Sequence, residues 1–232
     1  MDVARAFTYI TEDERWLGKI IIGAAISFFS FLLVPIPLLV GWMVGVTRNV
    51  MNGVERPLPE WDDFGTLFRD GLAVFIAQLV YTLPFWLLAC IAFFATVGFS
   101  GLSEVSEDAA AAAIMATFSL VFCLAIIFMI ALLLISPAIV IQYVRTNEFG
   151  ACFRFGEVIE IVRNNVGDIL IAALTPFVVS LVLSAFSAIP VIGWCGAPLV
   201  SLVLAPYLLA VLGHLYGQIA AKISGKATAK PA

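Results

Sequence analysis

The chain has 232 residues, of which 62% are hydrophobic and only 12% charged, with 12 basic and 16 acidic side chains and a net charge of −4. Ordinary soluble domains carry about 25% charged residues and about 45–50% apolar ones with glycine included, and a folded surface is already more than half apolar, so a soluble chain has nowhere to hide this excess. The composition excludes a soluble globular domain, a disordered chain and a disulfide scaffold, and the acidic balance excludes a general nucleic-acid binder. It indicates an integral membrane protein, as does the mean hydropathy of +1.09.

The first 16 residues carry Asp2, Glu12, Asp13 and Glu14 ahead of any apolar run. A cleavable signal peptide passes from a basic start straight into a short apolar core, so none is expected, and the first apolar helix serves as an uncleaved insertion signal. A helix needs about 20 apolar residues to cross ~30 Å of hydrocarbon. Residues 17–46 exceed one span and are interrupted at Pro35-Ile36-Pro37, where two backbone donors are lost and helix is disfavoured upstream. The expectation is a hairpin with helices over about 17–34 and 37–52. The second is short and ends at Thr47, Arg48 and Asn49, where the arginine can snorkel to the headgroups.

The next apolar stretch covers about 72–99, with Pro84 as a kink. Another covers about 109–144, of which 109–113 extends beyond the hydrocarbon. Two more cover about 169–189 and 197–221, for a total of six. Pro35, Pro37, Pro190 and Pro198 are read as turn residues.

Charge supports an even count. Arg5, Arg15 and Lys19 flank the first helix; Arg48, Arg56 and Arg69 follow the second; Arg145, Arg154 and Arg163 follow the fourth; Lys222, Lys226 and Lys230 follow the sixth. These are all 12 basic residues, and cytoplasmic flanks are the ones enriched in Lys and Arg. Both termini are therefore expected in the cytoplasm, at the cell membrane. The acids Glu104, Glu107 and Asp108 fall on an outer tip. The remaining acids roughly balance the basic face, which is no polybasic clamp for anionic lipid.

A glycine beside a charge opens every odd-numbered helix, at Gly18, Gly71 and Gly167. Before each lies a stretch of helical apolar spacing: Val3, Phe7 and Ile10; Trp61, Phe64, Leu67 and Leu72; Phe155, Val158, Val162 and Val166. Such stretches suit helices lying in the interface. The expected fold is an all-α membrane protein with six transmembrane helices as three hairpins, each preceded by an interfacial amphipathic helix. It forms one membrane domain over 1–223, with repeated units of about 1–53, 54–144 and 145–223 and a polar cytoplasmic tail at 224–232.

Gly41-Trp-Met-Val-Gly-Val-Thr-Arg-Asn-Val-Met-Asn-Gly53, followed by Pro57-Leu-Pro-Glu-Trp-Asp-Asp-Phe-Gly65 and Phe68-Arg-Asp-Gly-Leu72, resembles the most recognisable passage of an uncharacterised prokaryotic membrane family (domain of unknown function 4013). The ending His214-Leu-Tyr-Gly-Gln218 fits it too, as does the opening Phe7-Thr-Tyr9 ahead of Trp16. The resemblance implies a multi-pass membrane protein with no assigned activity, and so no functional residues to carry over.

Candidate chemistry is sparse. Glu60, Trp61, Asp62 and Asp63, with Arg48 and Asn49, could form a cytoplasmic cation or partner site. The plainer reading is helix capping by acids that favour the macrodipole, with Trp61 as an interface anchor. His214 is the only histidine; it could titrate or shuttle protons, or simply bond between helices near the cytoplasmic end. Gln78, Gln142 and Gln218 could line a solute path or make packing hydrogen bonds. Gly41 and Gly45 form a G-x-x-x-G that allows close helix approach. No phosphate-binding, hydrolase or zinc-protease motif is present, the cysteines have no ligand spacing, and no metal or cofactor is expected. The expected function is a non-enzymatic membrane component that binds lipid, another membrane protein or a second copy of itself. The alternative is a small-solute transporter or channel, for which no mid-span carboxylate speaks.

Overall fold

In the computed structural model, residues 1–100, 106–187 and 190–225 are described. Helix α1 (Val3–Thr8) starts on Asp2, whose carboxylate accepts the Arg5 N–H at 2.9 Å, an N-cap that satisfies one of the orphan donors of the first turn. A 3₁₀ turn follows at Tyr9–Glu12. The chain then bends by 103° into the next helical run, so the first 12 residues and the following helix do not make one straight rod. Helix α2 (Trp16–Phe28) tightens into a 3₁₀ turn at Phe29–Leu32. Leu33 has a φ of 63°, and this left-handed residue reverses the chain. Helix α3 (Ile36–Met51) has Pro37 in its first turn, where a missing N–H costs nothing.

Residues 52–63 are not helical. Helices α4 (Phe64–Ser100), α5 (Glu107–Thr146), α6 (Phe155–Asn164), α7 (Val166–Ser187) and α8 (Pro190–Ile223) complete the chain. Pro84, Pro137 and Pro176 are accommodated inside helices.

Four segments are long and apolar enough to cross a membrane: Phe64–Gly98, Asp108–Thr146, Val166–Ser184 and Leu199–Ile223. The first pair differs from the expected spans. The 16 residues of α3 rise about 24 Å at ~1.5 Å per residue, short of ~30 Å of hydrocarbon, and α2 has only 13 residues. The expected leading helices also differ between units. Short separate helices do precede α2 and α7, namely α1 and α6. Before α4 there is none, because Pro57 and Pro59 hold the chain extended and the helix begins only at Phe64. Pro198, expected at a turn, lies within α8. Of the expected outer tips, residues 101–105 and 188–189 lie outside the described residues, as does most of the 224–232 tail.

The chain divides into two compact units, one of Met1–Ala77 with Leu134–Ala232 and one of Gln78–Leu133. In the first, α8 packs against α1, α2, α3 and α7 around buried Trp42, Val44, Val46, Ile139, Ile141, Ile169, Leu215 and Ile219. Small residues set the spacing. A β-carbon at Gly213 would stand 2.8 Å from the Met43 carbonyl oxygen, and one at Gly217 would stand 2.5 Å from Val50 Cβ. Gly213 and Gly217 thus form a G-x-x-x-G seat for α3. In the second unit Phe85 stacks on Phe128 with centroids 6.0 Å apart. Trp86, Phe94, Phe118 and Phe122 are all exposed there, a surface suited to lipid chains and costly in water. Cys90 and Cys123 are exposed, Cys152 is buried, and none of the three is in a disulfide.

Candidate functional site

The segment 57–61 is a strap over the ends of α2 and α3. Lys19 of α2, its side chain 6% exposed, donates to Asp13 Oδ2 at 2.7 Å and to the Leu58 carbonyl at 2.9 Å; it also pairs with Glu60 at 3.0 Å. Trp61 Nε1 donates to the Lys19 carbonyl at 2.9 Å, and Trp42 Nε1 to the Pro59 carbonyl at 3.1 Å. The two indoles stack with centroids 5.2 Å apart. Pro59 fits against Gly45, where a β-carbon would meet its Cγ at 2.8 Å. Asn49 fastens the start of the strap by donating to the Pro57 carbonyl at 2.9 Å, and Arg15 reaches Glu60 at 2.8 Å. Burial pushes the Asp13 carboxyl up, but the Lys19 and Arg15 hydrogen bonds and the charges of Lys19 and Arg56 outweigh it and leave the group below its ordinary value.

The acidic run therefore separates by role. Glu60 is drawn into the Lys19 cluster, and Trp61 is buried under Trp42 rather than anchored at an interface. Asp62 and Asp63 remain exposed. Asp63 Oδ1 accepts the Thr66 N–H at 3.0 Å at the first turn of α4, and hydrogen bonding to the Thr66 side chain and then to its backbone holds the carboxyl below the ordinary value.

A second cluster joins α3, α4 and α5. Arg48 donates to Asp70 Oδ2 at 2.7 Å and to Asn147 Oδ1 at 2.9 Å, and Tyr143 donates its hydroxyl to Asp70 Oδ1 at 2.9 Å. Asp70 is almost fully enclosed, with 4% of its side chain exposed. Both clusters use charges that the sequence presents only as helix flanks. Lys19 and Asp70 each sit beside a glycine, a cue to close packing; Asp13 is six residues from Lys19, but Leu58, Glu60, Arg48 and Tyr143 are too distant in sequence for spacing to reveal. Arg48 Nε is buried without a hydrogen-bond partner among the described residues.

Within the first unit, the intramembrane candidates His214, Gln218 and Gln142 do not gather into one site. His214 stacks on Tyr9 with centroids 4.4 Å apart, and its Nδ1 lies 2.9 Å from Gln218 Nε2. Gln218 also donates to the Asp2 carbonyl at 2.8 Å and accepts the Asp2 N–H at 2.7 Å. Tyr9 and Tyr207 donate their hydroxyls to the Ala210 and Phe7 carbonyls, each at 2.9 Å. His214 and Gln218 thus latch α1 onto α8. Gln142 is buried on α5 and donates to Glu157 of α6. It faces a pocket of about 470 Å³ whose lining includes Arg145, Glu157, Glu160, Asn164 and Lys222; neither His214 nor Gln218 lines it. Gln78 belongs to the second unit, where it is half-buried. Among the described residues no group of three His, Cys, Asp or Glu side chains could hold a metal ion.

Four helices long and apolar enough to cross a membrane, in a chain that is helical throughout its regular structure among the described residues, define an α-helical membrane protein. A family profile described as a protein of unknown function (DUF4013) matches residues 26–192, and the chain belongs to that family. The match takes in the passage from Gly41 to Leu72, while Phe7-Thr-Tyr9 and His214–Gln218 lie outside it. No curated protein and no solved structure matches the chain.

Proposed function

We propose that this protein is a non-enzymatic component of the cell membrane that binds lipid or another membrane protein, with both termini in the cytoplasm. One observation carries the reading. The polar side chains set in or near the spans of the first unit close on separate local partners, His214 and Gln218 on the N-terminal segment and Gln142 on Glu157. Polar groups used in this way hold helices together; a solute path needs them turned to a common cavity. The extensive exposed apolar surface is consistent with lipid or protein contact.

In this reading α4, α5, α7 and α8 cross the bilayer. The three-hairpin plan keeps its second and third pairs, each with basic residues at its outer ends. The first pair, α2 and α3, is too short for two crossings and is assigned as a hairpin that enters from the cytoplasmic side and returns. An even number of crossings puts all basic segments on one side, and a returning hairpin does the same.

The test is reconstitution. Purified protein in liposomes should pass protons, potassium and glycerol no faster than protein-free liposomes, and the protein should retain a lipid subset through mild-detergent purification. Saturable solute movement that His214→Ala abolishes would establish a transporter instead.

A further inference from the structure

The pocket between α5, α6 and α8 holds two charges that no ion pair or hydrogen bond among the described residues uses. Arg145 comes from the last turn of α5 and Glu160 from α6, and both line the cavity. Neither has an ion-pair or hydrogen-bond partner among the described residues. The other charges on the wall are engaged: Lys222 reaches Asp168 at 2.8 Å, and Glu157 takes Gln142 and Arg154. A free cation and a free anion in one cavity suit a ligand that carries both signs, because a singly charged ligand leaves one of them facing its own sign or nothing. The volume, about 470 Å³, falls in the range of small-molecule sites.

Depth narrows the ligand. Thr146 and Ile223 end two of the membrane-length segments, so Arg145 and Lys222 stand where the hydrocarbon gives way to headgroups. On the same unit, Leu170, Ile171 and Leu174 of α7 are exposed and offer an apolar track for an acyl chain. We infer that this pocket binds the headgroup of a zwitterionic aminophospholipid, with the phosphate on Arg145 and the primary ammonium on Glu160. A primary ammonium donates hydrogen bonds to a carboxylate, whereas a quaternary choline has no N–H to give. An anionic glycerol headgroup satisfies Arg145 and leaves Glu160 opposed by like charge.

The inference rests on the lipid-binding reading and is tested by native mass spectrometry of the full chain released from nanodiscs. The discs contain phosphatidylethanolamine, phosphatidylcholine and phosphatidylglycerol with matched acyl chains. Wild-type protein should retain phosphatidylethanolamine over each of the others by about tenfold, the factor one charge-assisted hydrogen bond supplies. Arg145→Gln and Glu160→Gln should each bring the ratio near one. Both side chains lie at the surface without partners among the described residues, so folding is not at stake, and Arg163→Gln, outside the pocket, should keep the preference. Retained lipid without headgroup preference, or a preference that survives both substitutions, overturns the inference and leaves the lipid-binding reading intact. No retained lipid at all overturns both. Soluble glycerophosphoethanolamine bound as tightly as the lipid would overturn the lipid as the source of the headgroup.

Discussion

Gly41 of α3 and Gly71 of α4 meet backbone to backbone: a β-carbon at Gly71 would stand 2.4 Å from the Gly41 nitrogen and 1.8 Å from the Pro37 carbonyl oxygen. The relation is mutual, since a β-carbon at Gly41 would lie 1.8 Å from the Leu67 carbonyl oxygen. No side chain can swing away to relieve these clashes, so the helices themselves must part. Gly71→Ala and Gly41→Ala should each destabilise the protein by about 1–3 kcal/mol or more, the usual range for overpacking. Gly18→Ala, with nothing within 4 Å, should leave stability unchanged. Thermal unfolding in detergent, followed by size-exclusion chromatography, compares the three, and equal midpoints would refute the close crossing.

The Lys19 cluster gives a prediction with a pH dependence. Lys19→Met leaves Asp13, also nearly enclosed, without its cation, and breaking a buried pair in this way costs about 3–5 kcal/mol. Asp13 is held below its ordinary value when folded, so its contribution is complete above the unfolded carboxylate value of about 4. That contribution is lost as pH falls through the lower folded value. Asp13→Asn should therefore lower stability at neutral pH and weaken the acid dependence. Chemical unfolding between pH 3 and pH 7 measures both effects; an acid limb as steep as the wild type's would remove Asp13 from the account.

Asp70 should be the linchpin of the second cluster. Its two oxygens take Arg48 and the Tyr143 hydroxyl separately, so the two bonds can be tested apart. Tyr143→Phe removes a hydrogen bond to a charged acceptor, worth about 1.5–3 kcal/mol. In an Asp70→Asn background the same change should cost much less, because the acceptor charge is already gone. A double-mutant cycle with a coupling energy near zero would mean that the two groups are neighbours without interaction.

How far the sequence discloses this arrangement depends on the range of each interaction. Helix extents follow from apolar length, and the ends of α5 and α8 fall beside Arg145 and Lys222 as charge alone suggests. The pairing of His214 with Gln218 is one helical turn and was accessible from spacing. The burial of Lys19 and Asp70 is not legible from spacing: Glu60, Arg48 and Tyr143 lie far along the chain, and although Asp13 is only six residues from Lys19, a charge at the end of an apolar run looks the same whether it is solvated or enclosed. Trp61 misled for a related reason. Its spacing to Phe64 and Leu67 matches a helix face, but Pro57 and Pro59 keep the chain extended and turn the indole onto Trp42. The span count was ambiguous in principle, because the distribution of basic residues cannot tell two short crossings from a hairpin that enters and returns.

The tip of the α2–α3 hairpin is where the proposed entering-and-returning hairpin can be tested against two full crossings. No charged residue lies between Lys19 and Arg48, and Phe28, Phe29, Phe31, Leu32, Leu33 and Val34 are all exposed at the turn. From Lys19 to the turn the chain climbs about 22 Å, adding α-helical and 3₁₀ rise. From the turn back to Arg48, α3 covers only about 18 Å. Both legs fall short of ~30 Å of hydrocarbon, so an apolar tip reaching the far headgroups would have to thin the bilayer or meet water. Val34→Cys, in a cysteine-free background, should therefore resist an impermeant thiol reagent from either side of the membrane. Glu55→Cys should react only when the cytoplasmic face is opened, and Glu104→Cys, in the segment outside the described residues, should react in intact cells. A spin label at position 34 should be relaxed by oxygen, which concentrates in the bilayer core, far more than by a water-soluble nickel chelate. Reaction of Val34→Cys in intact cells would restore two full crossings for α2 and α3 and the six-span count with them. Protection at 34 together with reaction of Glu55→Cys in intact cells would overturn the cytoplasmic placement of the basic segments.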